Sequence, residues 1–351
     1  MTVAVTGGLG FIGTHLCRAL ALRGVEVRCL DRLQGAEGDE RWSEVAGLPG
    51  ITRVRADVGT DSLDAALDGA DAVIHLSGLP GVRAGHRFSD LWRENTLNTV
   101  RLARETARRG PRFLLASTSS VYGDACRLPT AEDARPAPLN AYAISKLAAE
   151  QACLTAVAQE GADAVIARLF TVYGEGQRRD MAFARWIDAI IGARPIPLCA
   201  RPGTARDFTY VGDAVKGLLA ALEHGRAGQI YNVSGAGSAS LLHALALLES
   251  ILGSPARIQR TEPFSGEATV TSGCGRKAAA ELGYRPRHSL AEGLGRQVAH
   301  VLAAGGGEPP PTPAPVPPCE IGGDAIPEVL PARVLRPVHL RADARPLRLH
   351  G

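Results

Sequence analysis

Tyr142 and Lys146 stand four residues apart in "NAYAISKLAAE", a stretch of helical pattern, so both side chains lie on one face. The chain holds only three lysines (146, 216 and 277) and six tyrosines, which makes that spacing informative. A free phenol, with a pKa of about 10, is a poor base near neutrality, and lowering it by ~3 units takes roughly 4 kcal/mol of preferential phenolate stabilisation. A neighbouring cation supplies such stabilisation. Upstream, "ASTSSVYG" (116–123) sets Ser117, Thr118, Ser119 and Ser120 in a row behind the apolar run Phe113 to Ala116. Hydrogen bonding at a strand end needs one hydroxyl at most, so the others point to chemistry.

Groups used this way need a rigid frame. The first half alternates short apolar runs with amphipathic helical patterns; Val3–Thr6, Val25–Leu30, Ile51–Ala56, Ala72–Leu76, Phe113–Ala116 and Ala164–Arg168 are the expected strands. That rhythm predicts an α/β fold, a doubly wound parallel sheet with helices on both faces. "VAVTGGLGFIGTHLCRAL" places Gly7, Gly10 and Gly13 directly after the first strand and at the start of a helix. Glycines there let the backbone turn tightly and approach a pyrophosphate at the helix amino terminus, the geometry of a dinucleotide site. The second strand ends at Asp31, where a carboxylate accepts bonds from the adenosine ribose and repels a 2′-phosphate. NAD is expected rather than NADP, although Arg32 next door suits the extra phosphate. Asp57 reads equally as a contact for the adenine edge or an ordinary loop carboxylate. The cationic nicotinamide of NAD would add to the stabilisation of a Tyr142 phenolate.

Beyond about Gly174 the rhythm loosens, with expected helices at Met181–Ile191, Gly212–Glu223 and Ser240–Leu252 and a strand at Ile230–Val233. The organisation read is a parallel-sheet cofactor domain over 1–174 and a smaller mixed α/β lobe over 175–304, capping the carboxyl edge of the sheet, some of whose segments return to the core. Residues 305–351 read as a flexible tail: they hold 11 of the 23 prolines, and the last 19 residues carry five Arg against one Asp. That basic end is either an interaction arm or a solvated tail.

The net charge of +3 over 351 residues, without a compact basic cluster, argues against nucleic acid as a partner. No apolar run approaches the roughly 18 residues of a membrane span, and the first strand follows Met1 immediately, so a cytoplasmic protein is expected. Seven scattered cysteines without a Cys-x-x-Cys pair read as buried thiols rather than as a disulfide framework or metal site.

The order of features (Gly-rich turn, Asp31, hydroxyl run, Tyr-x-x-x-Lys) resembles the extended short-chain dehydrogenase/reductase family, the sugar-nucleotide epimerases and dehydratases, from Met1 to about Ala303. The resemblance implies bound NAD, a nucleotide-sugar substrate, and Thr118, Tyr142 and Lys146 as catalytic hydroxyl, base and tuner. It adds Phe11, Ile12, Val58, Leu76, Ser77 and Asn95 to the cofactor set. Dehydratases of the family carry Asp-Glu after the catalytic Thr, and the UDP-glucuronate decarboxylases carry Glu at the second position; Ser119 and Ser120 stand here, which leaves elimination without its acid. "HLSGLPGVRAG", "RLFTVYGEGQRRDMAFARWI" and "ARDFTYVGDAV" are similar to the UDP-glucuronate 4-epimerase branch. That similarity implies substrate contacts at Pro80, Val82, Arg83, Thr118, Ser119, Ser120, Thr171, Arg178 and Arg206. For Arg178 and Arg206 a surface salt bridge is the competing reading.

Three departures touch the nucleotide pocket: Glu175-Gly176, the segment "LCARPGTARD", and Cys274-Gly275 where relatives carry Ala-Asp. They keep UDP-glucose or another modified sugar open as substrate. A UDP-glucuronate decarboxylase is disfavoured by Ser120, and a non-catalytic NAD-binding regulator by the retained Tyr142 and Lys146. The helices Asp90–Arg109 and Ala141–Glu160 resemble those of a homodimer interface in the family, and burial against the sheet explains their apolar positions equally well.

Overall fold

A computed structural model describes residues 1–33, 35–81, 85–263 and 266–304, the side chains of 35–37 apart. Its strands are β1 (Thr2–Thr6), β2 (Glu26–Asp31), β3 (Ile51–Arg55), β4 (Ala72–His75), β5 (Arg112–Thr118) and β6 (Ala164–Leu169), followed by β7 (Thr171–Tyr173), β8 (Pro195–Leu198), β9 (Ala205–Tyr210), β10 (Ile230–Val233), β11 (Ser238–Ser240) and β12 (Arg257–Arg260). Seven of them form one parallel sheet in the order β10-β6-β5-β4-β1-β2-β3. This is the Rossmann-type doubly wound sheet that the alternation predicts. Each expected strand lies within two residues of its observed place.

The sheet divides the interior into two apolar layers. Alternation along β1 sends Val3 and Val5 into one layer and Ala4 into the other. Neighbours of β1 lie on opposite sides, β2 on one and β4 on the other, so the loops leaving their carboxyl ends diverge. A crevice at that switch point is where open α/β sheets place ligands.

The helix Phe11–Ala21 begins at Gly10 with no side-chain cap, leaving its first backbone N–H groups available. The helix Ala141–Glu160 is bounded more tightly: the Asn140 side chain accepts from the Ala143 N–H at 2.9 Å, and Gly161 ends it in the left-handed region. Its buried face carries Lys146, Ala149, Glu150 and Cys153 against β5 and β6. The stretch expected as one helix from Asp90 is helical from Phe88 to Arg109 but holds a π-helical turn, Trp92–Leu97. Later segments serve both parts of the fold. β10 joins the edge of the central sheet beside β6, whereas β7, β9 and β11 form a three-stranded sheet and β8 pairs with β12.

The tail, Val82 and Arg83 lie outside the described residues. Among the described residues no helix is long and apolar enough to cross a membrane, six cysteines are free, and no group of His, Cys, Asp and Glu is arranged to hold a metal.

Candidate active site

A cleft of about 1280 Å³ opens along the carboxyl edge of the central sheet. At its floor β1 turns into the first helix. Gly7 adopts a φ of +68°, and a Cβ on Gly13 would stand 2.1 Å from the Gly7 carbonyl oxygen, so no larger residue fits. The Asp31 carboxylate at the end of β2 accepts from the backbone N–H of Leu9 and of Leu33, each at 3.0 Å. It is thereby fixed at the wall of the cleft. Arg32 donates to Asp57 at 3.2 Å and to Glu94 at 3.0 Å, so its charge is already compensated. That removes the counter-charge a 2′-phosphate would need. Asp57 also accepts from the Gly59 N–H at 2.7 Å, so both its oxygens carry partners, as in the loop-carboxylate reading.

The loop after β4 is held from below. His75 is fully buried, and burial pushes its imidazole down to about 3, so it is neutral. Thr99 donates its hydroxyl proton to the Asn95 carbonyl at 2.7 Å, which makes it the acceptor for His75 Nε2–H at 3.0 Å. Nδ1 is then the acceptor for the Thr6 hydroxyl at 2.7 Å, and Ser77 donates to Thr6 at 3.1 Å. Asn95, inside the π-helical turn, accepts from the Leu79 N–H at 2.8 Å and donates to the Leu79 carbonyl and the Ser145 hydroxyl. It thus pins the Ser77–Leu79 loop to the helix that carries Tyr142. A π-turn at such a site is a common device for re-aiming a side chain.

Tyr142 and Lys146 do lie on one helix face, toward β5. Burial raises the Tyr142 phenol; Thr118 beside it and the positive charge of Arg178 pull the other way. The Lys146 ammonium donates to the Ala116 carbonyl at 2.7 Å, and burial brings it down to about 8. Among the protein's own groups, desolvation thus outweighs the effects that lower the phenol.

The hydroxyl run divides in two. Ser117 also borders the cleft, but its hydroxyl donates to the buried Glu150 at 2.5 Å, a structural bond. Thr118 accepts from the Ser120 N–H and donates to the Ser120 hydroxyl, both at 3.2 Å, and Ser119 begins the 3-10 turn that follows. Thr118, Ser119, Ser120 and, from β7, Thr171 line the cleft together with Tyr142.

Every expected site residue that is described lines this one cleft: Gly7, Gly10, Phe11, Ile12, Gly13, Asp31, Asp57, Val58, Leu76, Ser77, Pro80 and Asn95 on the side of β1 to β4, then the hydroxyls, Tyr142 and Lys146, then Arg178 and Arg206. The two arginines are paired as well as cleft-lining. Arg178 forks onto Asp180 at 2.9 and 2.8 Å, and Arg206 binds Glu267 at 3.3 Å and the Thr269 carbonyl at 3.0 Å. Sequence reasoning missed Arg41, Glu94, Arg185, Trp186 and Glu267, which also line it. Arg41 reaches the Gly176 carbonyl at 3.3 Å across 135 positions of chain, a pairing no spacing pattern announces.

The donor set fits NAD. The uncapped helix start and the Gly7–Gly13 turn suit a pyrophosphate, Asp31 suits a ribose diol, and a hydroxyl-lined wall with Tyr142 suits the redox end.

The NAD-dependent epimerase/dehydratase family model matches residues 3–234. The uncharacterized UDP-glucose epimerase YtcB of Bacillus subtilis is 33% identical over 317 residues, 88% of this chain and 100% of that protein. The crystal structure of UDP-glucuronic acid 4-epimerase from Bacillus cereus, in complex with UDP-glucuronic acid and NAD, is similar with a TM-score of 0.83 and 32% identity, covering 87% of this chain and 100% of the other. DesIV, a dTDP-glucose 4,6-dehydratase from Streptomyces venezuelae, is similar with a TM-score of 0.81 and 28% identity over 88% of this chain and 99% of its own. Fold, cleft and matches agree: the chain belongs to the NAD-dependent epimerase/dehydratase family, an enzyme of the epimerase type with NAD as its cofactor.

Proposed function

We propose that the protein is a 4-epimerase of a nucleotide sugar that interconverts UDP-glucuronate and UDP-galacturonate. The observation that carries this reading is the wall of neutral hydroxyls, Thr118, Ser119, Ser120 and Thr171, around Tyr142 in the cleft. A dehydratase or decarboxylase needs an acid at that wall. Among the described cleft-lining residues the carboxylates are Asp31, Asp57, Glu94, Asp180 and Glu267, none of them in the hydroxyl wall.

Tyr142 takes the proton of the sugar C4 hydroxyl, with Thr118 holding that hydroxyl in line, and Lys146 stabilises the phenolate across the Ala116 strand end. When bound, NAD accepts the C4 hydride and returns it. The product of oxidation is a β-keto acid, which loses carbon dioxide when its carboxylate leaves the carbonyl plane. Several fixed neutral donors restrain that rotation while letting the ring turn to present its other face. Arg178 and Arg206 meet the pyrophosphate or the sugar. The protein acts in the cytoplasm as a homodimer through the face of the helices 88–109 and 141–160, where Phe88, Leu97 and Ile144 are exposed; light scattering after gel filtration tests this.

A proton NMR time course with UDP-glucuronate and no added cofactor, following the anomeric and H4 signals, tests the reaction. Growth of UDP-galacturonate supports it and shows NAD carried through purification. An unchanged spectrum, repeated with added NAD, sinks the glucuronate assignment. Turnover of UDP-glucose instead would make the hydroxyl wall a strand-end hydrogen-bond network.

A further inference from the structure

Glu150 lies one helical turn past Lys146, as Lys146 lies one turn past Tyr142, so the three share a stripe down one helix. The carboxylate is fully buried, and so are its partners. Arg168 donates to it through Nε at 2.9 Å and Nη2 at 2.7 Å, and Ser117 donates at 2.5 Å. Ser117 and Arg168 are direct neighbours across β5 and β6, so the sheet register fixes the carboxylate from below.

An ion pair serving only the core would balance itself. This cluster does not: among the described residues, Arg168 and Lys146 share the interior with one carboxylate, and Arg168 Nη1 is buried without a hydrogen-bond partner while its guanidinium stacks 4.6 Å over the Tyr122 ring. Among the described residues, the titratable groups that face Lys146 are Tyr142, Glu150 and Cys153 on its own helix and His75 at the end of β4. His75 and the Cys153 thiol are held neutral by burial, and the Tyr142 phenol is raised by it. Glu150 is the anion of that set.

We propose that Glu150 is a positioning residue of the reaction, the buried counter-charge that keeps Lys146 an ammonium at the Ala116 carbonyl, with Arg168 and Ser117 holding the carboxylate in register. The inference rests on the assignment of Lys146 as the tuner of Tyr142. Its test does not, because the chain has only three lysines and each is visible by itself.

In the full-length protein labelled with ε-13C-lysine, the Lys146 signal is identified by its loss in Lys146→Met, and its wild-type midpoint is expected at about 8. In Glu150→Gln that midpoint falls by about 1 unit or more, while those of Lys216 and Lys277 stay in place. The alkaline limb of kcat moves down by the same amount, and Glu150→Asp restores part of both. Should Glu150→Gln fail to fold with Arg168 left unpaired, Glu150→Gln/Arg168→Met buries neither charge alone and is expected to move Lys146 in the same direction. A Lys146 midpoint unchanged in either folded variant overturns the proposal. A midpoint that moves while the activity limb stays fixed upholds Glu150 as the counter-charge and sinks the assignment of Lys146.

Discussion

The two halves of the cleft are built from different materials. The β1 to β4 side is built from backbone: a glycine turn with no room for a Cβ, an uncapped helix start, and a carboxylate fixed by two main-chain N–H groups. The far side presents long side chains, Arg178 and Arg206, each already bonded to an acid of its own. A backbone cradle is preorganised and loses little entropy when filled. Paired arginines are held ready but must share their donors with an incoming anion. The first half therefore suits a cofactor retained between turnovers, the second a substrate that enters and leaves.

The sharpest cut runs through the chemistry between the halves. Tyr142→Phe should lower turnover by ~10²–10⁴-fold with NAD still co-purifying. Turnover within tenfold of wild type would assign the base elsewhere. Gly13→Ala attacks the cradle itself: its Cβ meets the Gly7 carbonyl at 2.1 Å. The purified protein should carry little NAD, read from its absorbance after denaturation, and melt at lower temperature; full NAD content would show that the cradle is not rigid.

Lys146→Met separates function from stability. A lysine whose folded pKa lies below its unfolded value costs stability wherever the unfolded chain holds more protons. With a folded value of about 8, that cost is present in full below pH 8 and vanishes as pH rises toward the unfolded value. Lys146→Met should lose most activity yet gain up to about 3 kcal/mol near pH 7, less the lost bond to Ala116, the gain shrinking between pH 8 and about 10. Denaturant unfolding at several pH values measures it, and a pH-independent difference would contradict the burial of that charge.

Arg206→Ala tests the side-chain half. It should raise KM about tenfold with kcat little changed, and the increment should shrink at high salt. An effect on kcat alone would move Arg206 from binding to the reaction. Smallest is Arg32→Ala: the side chain is half exposed between two acids, so its loss should cost no more than about 1 kcal/mol and leave NAD preferred. A switch to NADP would contradict this geometry.

What was legible in the sequence was local. Strand periodicity, the glycine turn, Asp31 at a strand end and the four-residue spacing of Tyr142 and Lys146 depend on near neighbours, and all emerged where expected. Even so, the π-turn around Asn95 was not read from the apolar pattern, where the stretch from Asp90 was expected as one helix. The hydroxyl run was read as one feature, and only the structure showed that the Ser117 hydroxyl is taken up by Glu150 while that of Thr118 bonds to Ser120 beside the cleft.

The sequence by itself determined the parallel sheet, the dinucleotide turn and the identity of the hydroxyl wall, since backbone geometry and side-chain period act over a few residues. Only the tertiary structure decided which charges meet: Arg32 with Glu94, Glu150 with Arg168, Arg206 with Glu267. These partners are brought together by strand order and sheet register, and a Coulomb interaction depends on distance in space, not along the chain.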